Sequence, residues 1–295
     1  MSGVAGTGRG RGIALMVTAV ALFAAMDAVV KHVVAETDPL QTTFLRYLVQ
    51  FVLMLALVRE PSLGDLLRSE RKGLLALRGF LLLASTLMFF TALRHIPLAD
   101  ATAIGFVSPL FVTALSVVAL QEKVGPRRWT AVAVGLAGGL LIIRPGFGDF
   151  HWAMVLPLGM ALLFAGFQIL TRILNRTEPP LRTLFWTGLV GTFGALPLQP
   201  LVWAWPRPEV WLLMILVGAV GTFGHYLLIQ AYRHAPASVL SPFVFSQLVT
   251  AALLGWLAFD HVPDGPTVLG ALIIVASGLY VFHRETVVAR PAAPS

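Results

Sequence analysis

Ten stretches of nearly unbroken apolar sequence, most about as long as a bilayer is thick, leave this chain few ways to fold. They run roughly over 12–34, 41–58, 73–94, 98–121, 129–144, 152–174, 181–204, 209–231, 237–259 and 266–283. Crossing hydrocarbon takes about 20 apolar residues as a helix, and every backbone N–H and C=O must find a partner within the protein. Helices and closed barrels meet that demand. Barrel strands would alternate apolar and polar residues over about ten positions, whereas Leu74–Leu93 is apolar almost throughout. The segments read as helices. Composition agrees: 57% of the 295 residues are hydrophobic and 12% charged, against about 45–50% and 25% in soluble domains. Ten spans leave no length for a soluble catalytic domain, and the absence of cysteine excludes disulfides, thiolate catalysis and Cys-ligated metal sites.

The breaks between segments carry turn or charge signals: Thr37-Asp38-Pro39, the run Arg59 to Lys72, His95-Ile96-Pro97, Gly125-Pro126-Arg127-Arg128, Arg144-Pro145-Gly146, Glu178-Pro179-Pro180, Pro206-Arg207-Pro208, His234-Ala235-Pro236 and Val262-Pro263-Asp264. With the N-terminus inside, Arg94, Arg144 and Arg207 are the basic residues of the outer loops. Most of the other Lys and Arg, out of 21, fall on the inner side. That bias places both termini in the cytoplasm and makes the high net charge of +7 a mark of topology rather than of nucleic-acid binding. The first segment reads as a span, not a cleaved leader, because it has an internal counterpart.

That counterpart belongs to a repeat. Phe23-Ala24, Asp27, Lys31, Pro39-Leu40, Thr42 and Phe44 lie over Phe164-Ala165, Gln168, Arg172, Pro180-Leu181, Thr183 and Phe185 at an offset of 141. Ala92-Leu93-Arg94-His95-Ile96-Pro97 lies over Ala231-Tyr232-Arg233-His234-Ala235-Pro236 at an offset of 139. After a one-residue slip Glu122 meets Asp260. The fold expected is therefore an all-α integral membrane protein of ten transmembrane helices in two inverted five-helix repeats, 12–145 (spans 1–5) and 152–284 (spans 6–10). Five is odd, so the second unit enters the bilayer upside down, an arrangement that recurs in transporters.

Over about 12–284 the sequence resembles the drug/metabolite transporter superfamily, in its branch with two EamA domains. The resemblance rests on the Asp27–Lys31 helix running into Asp38-Pro39-Leu40 and Phe44-Leu45-Arg46-Tyr47. It rests also on Ser108-Pro109 before Glu122, Ala231 to Pro236, and Ser241-Pro242 before Asp260. It implies a central cavity lined by spans 1–4 and 6–9, with spans 5 and 10 peripheral, and it is similar to bacterial aromatic amino acid exporters of the YddG type. From the resemblance comes the expectation of a secondary transporter in the bacterial inner membrane that exports amino acids or related small metabolites. Uptake or exchange of S-adenosylmethionine, a nucleoside or riboflavin is the alternative. The implied partners are a small-molecule substrate and the lipid bilayer, with no nucleic acid, cofactor or metal; the protein would be a monomer or homodimer, Gly135…Gly139 offering a seam.

Ionisable groups within a span default to functional hypotheses. Asp27 and Lys31, one turn apart, either neutralise each other or leave Asp27 to take up a proton or bind a substrate ammonium. Gln168, its repeat partner, cannot titrate, so any proton coupling would be asymmetric. Arg46 either pairs structurally or meets a substrate carboxylate. Lys31 and Arg172 read as snorkelling residues, and Arg78 as an anchor at the inner face. A cavity lining is read from Thr86 and Phe90 in span 3, Phe106 and Ser108 in span 4, His225 and Tyr226 in span 8, and Phe245 and Gln247 in span 9. Pro97, Pro109, Pro236 and Pro242 are expected as gating kinks, Pro109 and Pro242 each freeing a backbone carbonyl at mid-span. Gly188, Gly191 and Gly194, with Gly218, Gly221 and Gly224, mark close helix packing.

Rival chemistries lack their residues. Gly146-Phe147-Gly148-Asp149 has the spacing of an intramembrane aspartyl protease motif but falls in a loop, with no Tyr-Asp partner; no Gly-x-Ser-Gly nucleophile occurs. None of Lys31, Lys72 and Lys123 sits in a phosphate-binding loop, so ATP is not the direct driver. No charged ring or filter loop marks a channel.

Overall fold

The structure is a computed structural model; it describes residues 2–57, 62–122, 124–145, 150–235 and 237–288. Each of the ten apolar segments is helical among the described residues. In chain order the helices are α1 (Ser2–Glu36), α2 (Pro39–Leu57), the short α3 (Leu63–Leu67), α4 (Lys72–His95), α5 (Leu98–Gly105), α6 (Ser108–Ala119), α7 (Pro126–Ile143), α8 (Val155–Leu174), α9 (Pro180–Ala195), α10 (Gln199–Val202), α11 (Pro208–His234), α12 (Ala237–Val244), α13 (Ser246–Phe259) and α14 (Gly265–Val288). Seven stretches are long and apolar enough to cross a membrane: Gly10–Glu36, Lys72–His95, Leu98–Ala119, Trp152–Leu174, Pro208–His234, Pro242–Phe259 and Gly265–His283. Helices α2, α7 and α9 fall short of that standard for visible reasons. Helix α9 has only 16 residues, α7 opens on Arg127-Arg128, and α2 carries Gln41, Thr42, Thr43, Arg46 and Gln50, all buried against protein.

Local chemistry sets the helix ends. Asp38 Oδ1 accepts the backbone N–H of Leu40 at 2.8 Å and Pro39 opens α2, so an acceptor and a pre-set φ start the helix where free N–H groups need partners. Ser62 and Asp65 form a reciprocal capping box on α3. Asp264 Oδ1 accepts from Thr267 N at 2.9 Å at the head of α14 while its other oxygen accepts from Arg144, which ends α7. That guanidinium holds the Asp264 carboxyl down at about 2. The pair's contribution is therefore present above the ordinary carboxylate range and is lost only as pH falls toward that value.

The packing pairs repeat under exchange of the two halves. Helix α1 packs on α11 as α4 packs on α8, α1 on α13 as α6 on α8, and α2 on α11 as α4 on α9; α2 with α9 and α7 with α14 are their own counterparts. Even a strained position repeats: Gln121 has φ 54° and Asp260, 139 residues on, has φ 51°.

The glycines of α7, Gly135 and Gly139 among them, face other parts of the same chain. A Cβ on Gly135 would meet Leu110 Cδ1 at 2.2 Å, one on Gly139 would meet Val107 Cγ2 at 3.1 Å, and one on Gly138 would meet the Gly270 carbonyl at 2.9 Å. Gly135 and Gly139 thus face side chains of the same chain, and Gly138 lets the backbones of α7 and α14 approach. Gly270→Ala is expected to destabilise the protein by about 1–3 kcal/mol. Its Cβ would stand 2.6 Å from the Gly138 carbonyl, backbone that has nowhere to move. A lowered melting temperature of the purified protein in detergent checks this; an unchanged one contradicts it.

Candidate functional site

The polar side chains gather about a pair of tilted aromatic rings. Phe106 ends α5 and Phe245 precedes α13, so each lies at the break that splits an otherwise continuous helical stretch. Their ring centroids are 5.2 Å apart. They are repeat counterparts, 139 residues apart.

On one side α1, α2, α4 and α11 converge. Asp27, 5% exposed, accepts a hydrogen bond from Gln247 Nε2 at 3.4 Å. Arg46 Nη1 donates to Thr86 Oγ1 at 2.8 Å, and Tyr47 Oη shares that hydroxyl at 2.8 Å. The guanidinium lies 5.7 Å from the Phe90 ring and 5.2 Å from that of Tyr47, within cation–π range. Glycines let the helices meet here: a Cβ on Gly221 would touch Met26 Sδ at 3.1 Å and Arg46 Nε at 3.5 Å. His225 Nδ1 lies 2.8 Å from the Gly221 carbonyl. A carbonyl only accepts, so Nδ1 carries the proton and Nε2 is left as an acceptor. The ring also meets Phe23 edge-on at 4.9 Å.

On the other side Gln168 Nε2 donates to Ser108 Oγ at 3.2 Å. This contact is the repeat image of the Asp27–Gln247 contact: Gln168 is 141 residues beyond Asp27, and Gln247 is 139 beyond Ser108. Both contacts join the two halves: an acid meets an amide in one, an amide meets a hydroxyl in the other.

Asp27, Arg46, Thr86, Phe90, His225, Gln247, Phe106, Phe245, Ser108 and Gln168 are thus brought together around this centre. Tyr226 is not. It lies on the face of α11 opposite Gly218, Gly221 and Gly224, stacked at 6.4 Å on Phe223 and 54% exposed, because one residue beyond His225 turns a helical side chain by about 100°. Lys31 does not pair with Asp27 either. Its ammonium donates to the carbonyls of Leu93 at 3.1 Å and Ile96 at 2.8 Å, groups the end of α4 leaves without helical partners. Arg172 reaches Glu122 Oε1 at 2.7 Å and is half-exposed.

The prolines differ in role. Pro97 precedes α5. Pro109 lies in the first turn of α6, where the missing N–H costs nothing; it starts a helix instead of kinking one. Pro242 is inside α12, and Pro236 lies outside the described residues.

Three positions depart from the sequence reading. Arg78, expected as a surface anchor, is 5% exposed. It donates from Nε to Thr171 Oγ1 at 2.7 Å and from Nη1 to Thr187 Oγ1 at 2.6 Å and the Thr183 carbonyl at 3.0 Å. Tyr47 is fully buried, and Asp100, in the first turn of α5, is a second buried acid. The i, i+4 pair Thr183 and Thr187 was a usable signal for an inward polar face on α9. Nothing in the spacing told which guanidinium it would meet.

A family model described as the EamA-like transporter family matches residues 10–144 and again 151–282. A riboflavin transporter of Vibrio cholerae is 31% identical over 94% of this chain and 94% of its own length. An S-adenosylmethionine uptake transporter of Rickettsia prowazekii is 26% identical over 88% of each chain, and a pseudopaline exporter of Pseudomonas aeruginosa is 28% identical over 90% of this chain and 94% of its own. A solved crystal structure shares the fold with a TM-score of 0.65 at 18% identity, covering 95% of this chain and 99% of that one.

Proposed function

The chain belongs to the EamA-like transporter family, and on that premise we propose that it is a secondary transporter moving a small metabolite across the bacterial inner membrane by alternating access. Ten spans in two inverted units, 12–145 and 152–284, place both termini in the cytoplasm. The solute path runs past Asp27, Arg46, Thr86, Phe90, Phe106, Ser108, Gln168, His225, Phe245 and Gln247. The observation that carries this reading is the image relation of the Asp27–Gln247 and Gln168–Ser108 contacts about the paired Phe106 and Phe245 rings. Equivalent contacts in two halves are what a protein needs if each half is to take the other's conformation and open the path to the opposite side. The break at residues 106–107 and its counterpart at 245 are the joints about which α4–α6 and α11–α13 rock.

Export of an aromatic or neutral amino acid is the first substrate reading. Aromatic faces and single hydrogen-bonding groups suit a small, partly apolar solute, and Arg46 suits a carboxylate. Riboflavin is the second, favoured by the relative that is 31% identical over nearly the full length. Proteoliposomes containing the purified protein test both. Tryptophan, phenylalanine, leucine, threonine, riboflavin and S-adenosylmethionine are followed in each direction, with and without a pH gradient. Flux of an amino acid or riboflavin above empty vesicles is expected; flux of none contradicts the proposal.

A further inference from the structure

The first half buries two guanidinium groups, those of Arg46 and Arg78, at positions that are not repeat counterparts. Arg46 of α2 lies among α1, α4 and α11. The residue 141 positions on is Thr187 of α9, and Thr187 accepts a hydrogen bond from Arg78 of α4 at 2.6 Å. The second-half counterpart of Arg46 is therefore also met by a positive charge, but one lent by α4 of the first half. Both guanidinium groups face aromatic rings, Phe90 and Tyr47 for Arg46 and Phe167, at 4.3 Å, for Arg78. Among the described residues no carboxylate lies within ion-pair distance of either. Buried arginines are normally paired; these two are hydrogen-bonded to hydroxyls and a carbonyl and lie over π-faces, groups with no formal negative charge.

Depth separates them. Arg78 lies six residues from the start of α4 and Arg46 seven from the start of α2, roughly 10 Å along each helix. The two helices run in opposite directions, the head of α2 meeting the tail of α4 through Asp38 and Arg94. One charge thus sits toward each face of the membrane. Phe167 and Thr171, both touching Arg78, are only half-buried, so the Arg78 guanidinium lies one layer beneath reachable surface.

We propose that Arg78, with Phe167, Thr171 and Thr187, is a second anion-binding station on the solute path, taking the carboxylate or sulfonate of an organic anion on the cytoplasmic side as Arg46 takes it on the other. This deepens the transporter reading and rests on it. A planar fork over an aromatic face suits such a group, since Arg presents donors in pairs that match its oxygens.

The absence of cysteine makes single-cysteine reporters unambiguous. Thr171→Cys and Phe167→Cys sample Arg78, and Gln168→Cys samples the path itself. Each is reacted in membranes with an anionic sulfonatoethyl methanethiosulfonate and a cationic trimethylammonioethyl one, and rates are normalised to a free thiol. At Thr171→Cys and Phe167→Cys the anionic reagent is expected to be favoured about tenfold or more, as one unpaired charge a few ångströms away dictates. Arg78→Gln should abolish that preference and Arg78→Lys should keep it. Reaction at Gln168→Cys with silence at both Arg78 reporters, or a preference indifferent to Arg78→Gln, overturns the station and leaves the path standing. Silence at Gln168→Cys as well overturns the transporter geometry on which it rests.

Discussion

Arg46→Ala is expected to lower transport roughly 10- to 100-fold at subsaturating solute, the cost of losing hydrogen bonds to a charged group worth about 1.5–3 kcal/mol. Arg46 joins three helices at one point: its own α2, α4 through Thr86, and α11 through the close approach of Gly221. Thr86→Val separates holding the arginine from binding the solute. It removes the hydroxyl that Arg46 and Tyr47 share while keeping the side-chain volume. If Arg46 binds the solute, Thr86→Val raises KM several-fold and Arg46→Lys stays impaired, because an ammonium cannot reproduce the guanidinium fork. Full flux in Arg46→Ala proteoliposomes would remove Arg46 from the path.

Asp27→Asn is expected to abolish acceleration of flux by a pH gradient while leaving solute exchange at equal pH largely intact. The amide keeps an acceptor for Gln247 Nε2, so the local packing survives. What is lost is the carboxylate of this centre, whose repeat counterpart, Gln168, cannot titrate. The measurement is the ratio of fluxes with and without the gradient in wild type and variant. A variant that retains the wild-type ratio excludes Asp27 as the coupling acid.

Much of this arrangement was legible in the chain, because apolar runs and turn residues act locally. Asp38-Pro39 predicted the head of α2, and the hydrogen bond from Leu40 to Asp38 shows why. Contacts between the two halves come in matched pairs, α1 on α11 with α4 on α8 and α1 on α13 with α6 on α8. What stayed hidden was which helix each side chain would face. Lys31 was one turn from Asp27 in sequence and turned instead to carbonyls 62 and 65 residues away. Arg78 resembled an anchor because it lies near a helix start, and only the lateral packing of α8 and α9 buries it. Gly135 and Gly139 had the spacing of a dimer contact, but the same spacing serves a contact inside the chain. Tyr226 follows His225, yet adjacency along a helix separates faces instead of joining them. Periodicity assigns a residue to a face; the identity of the neighbour is a property of the packed bundle.

The claim on which the path, the paired contacts and the two arginines all depend is that the second half crosses the membrane in the opposite sense to the first. Reporter fusions of the full chain measure this without knowledge of the substrate. An enzyme active only outside the cytoplasm, inserted within 146–151, and a reporter fluorescent only inside, fused after Ser295, are predicted both to give signal. A result that places 146–151 and the carboxy-terminal end on the same side would contradict the account.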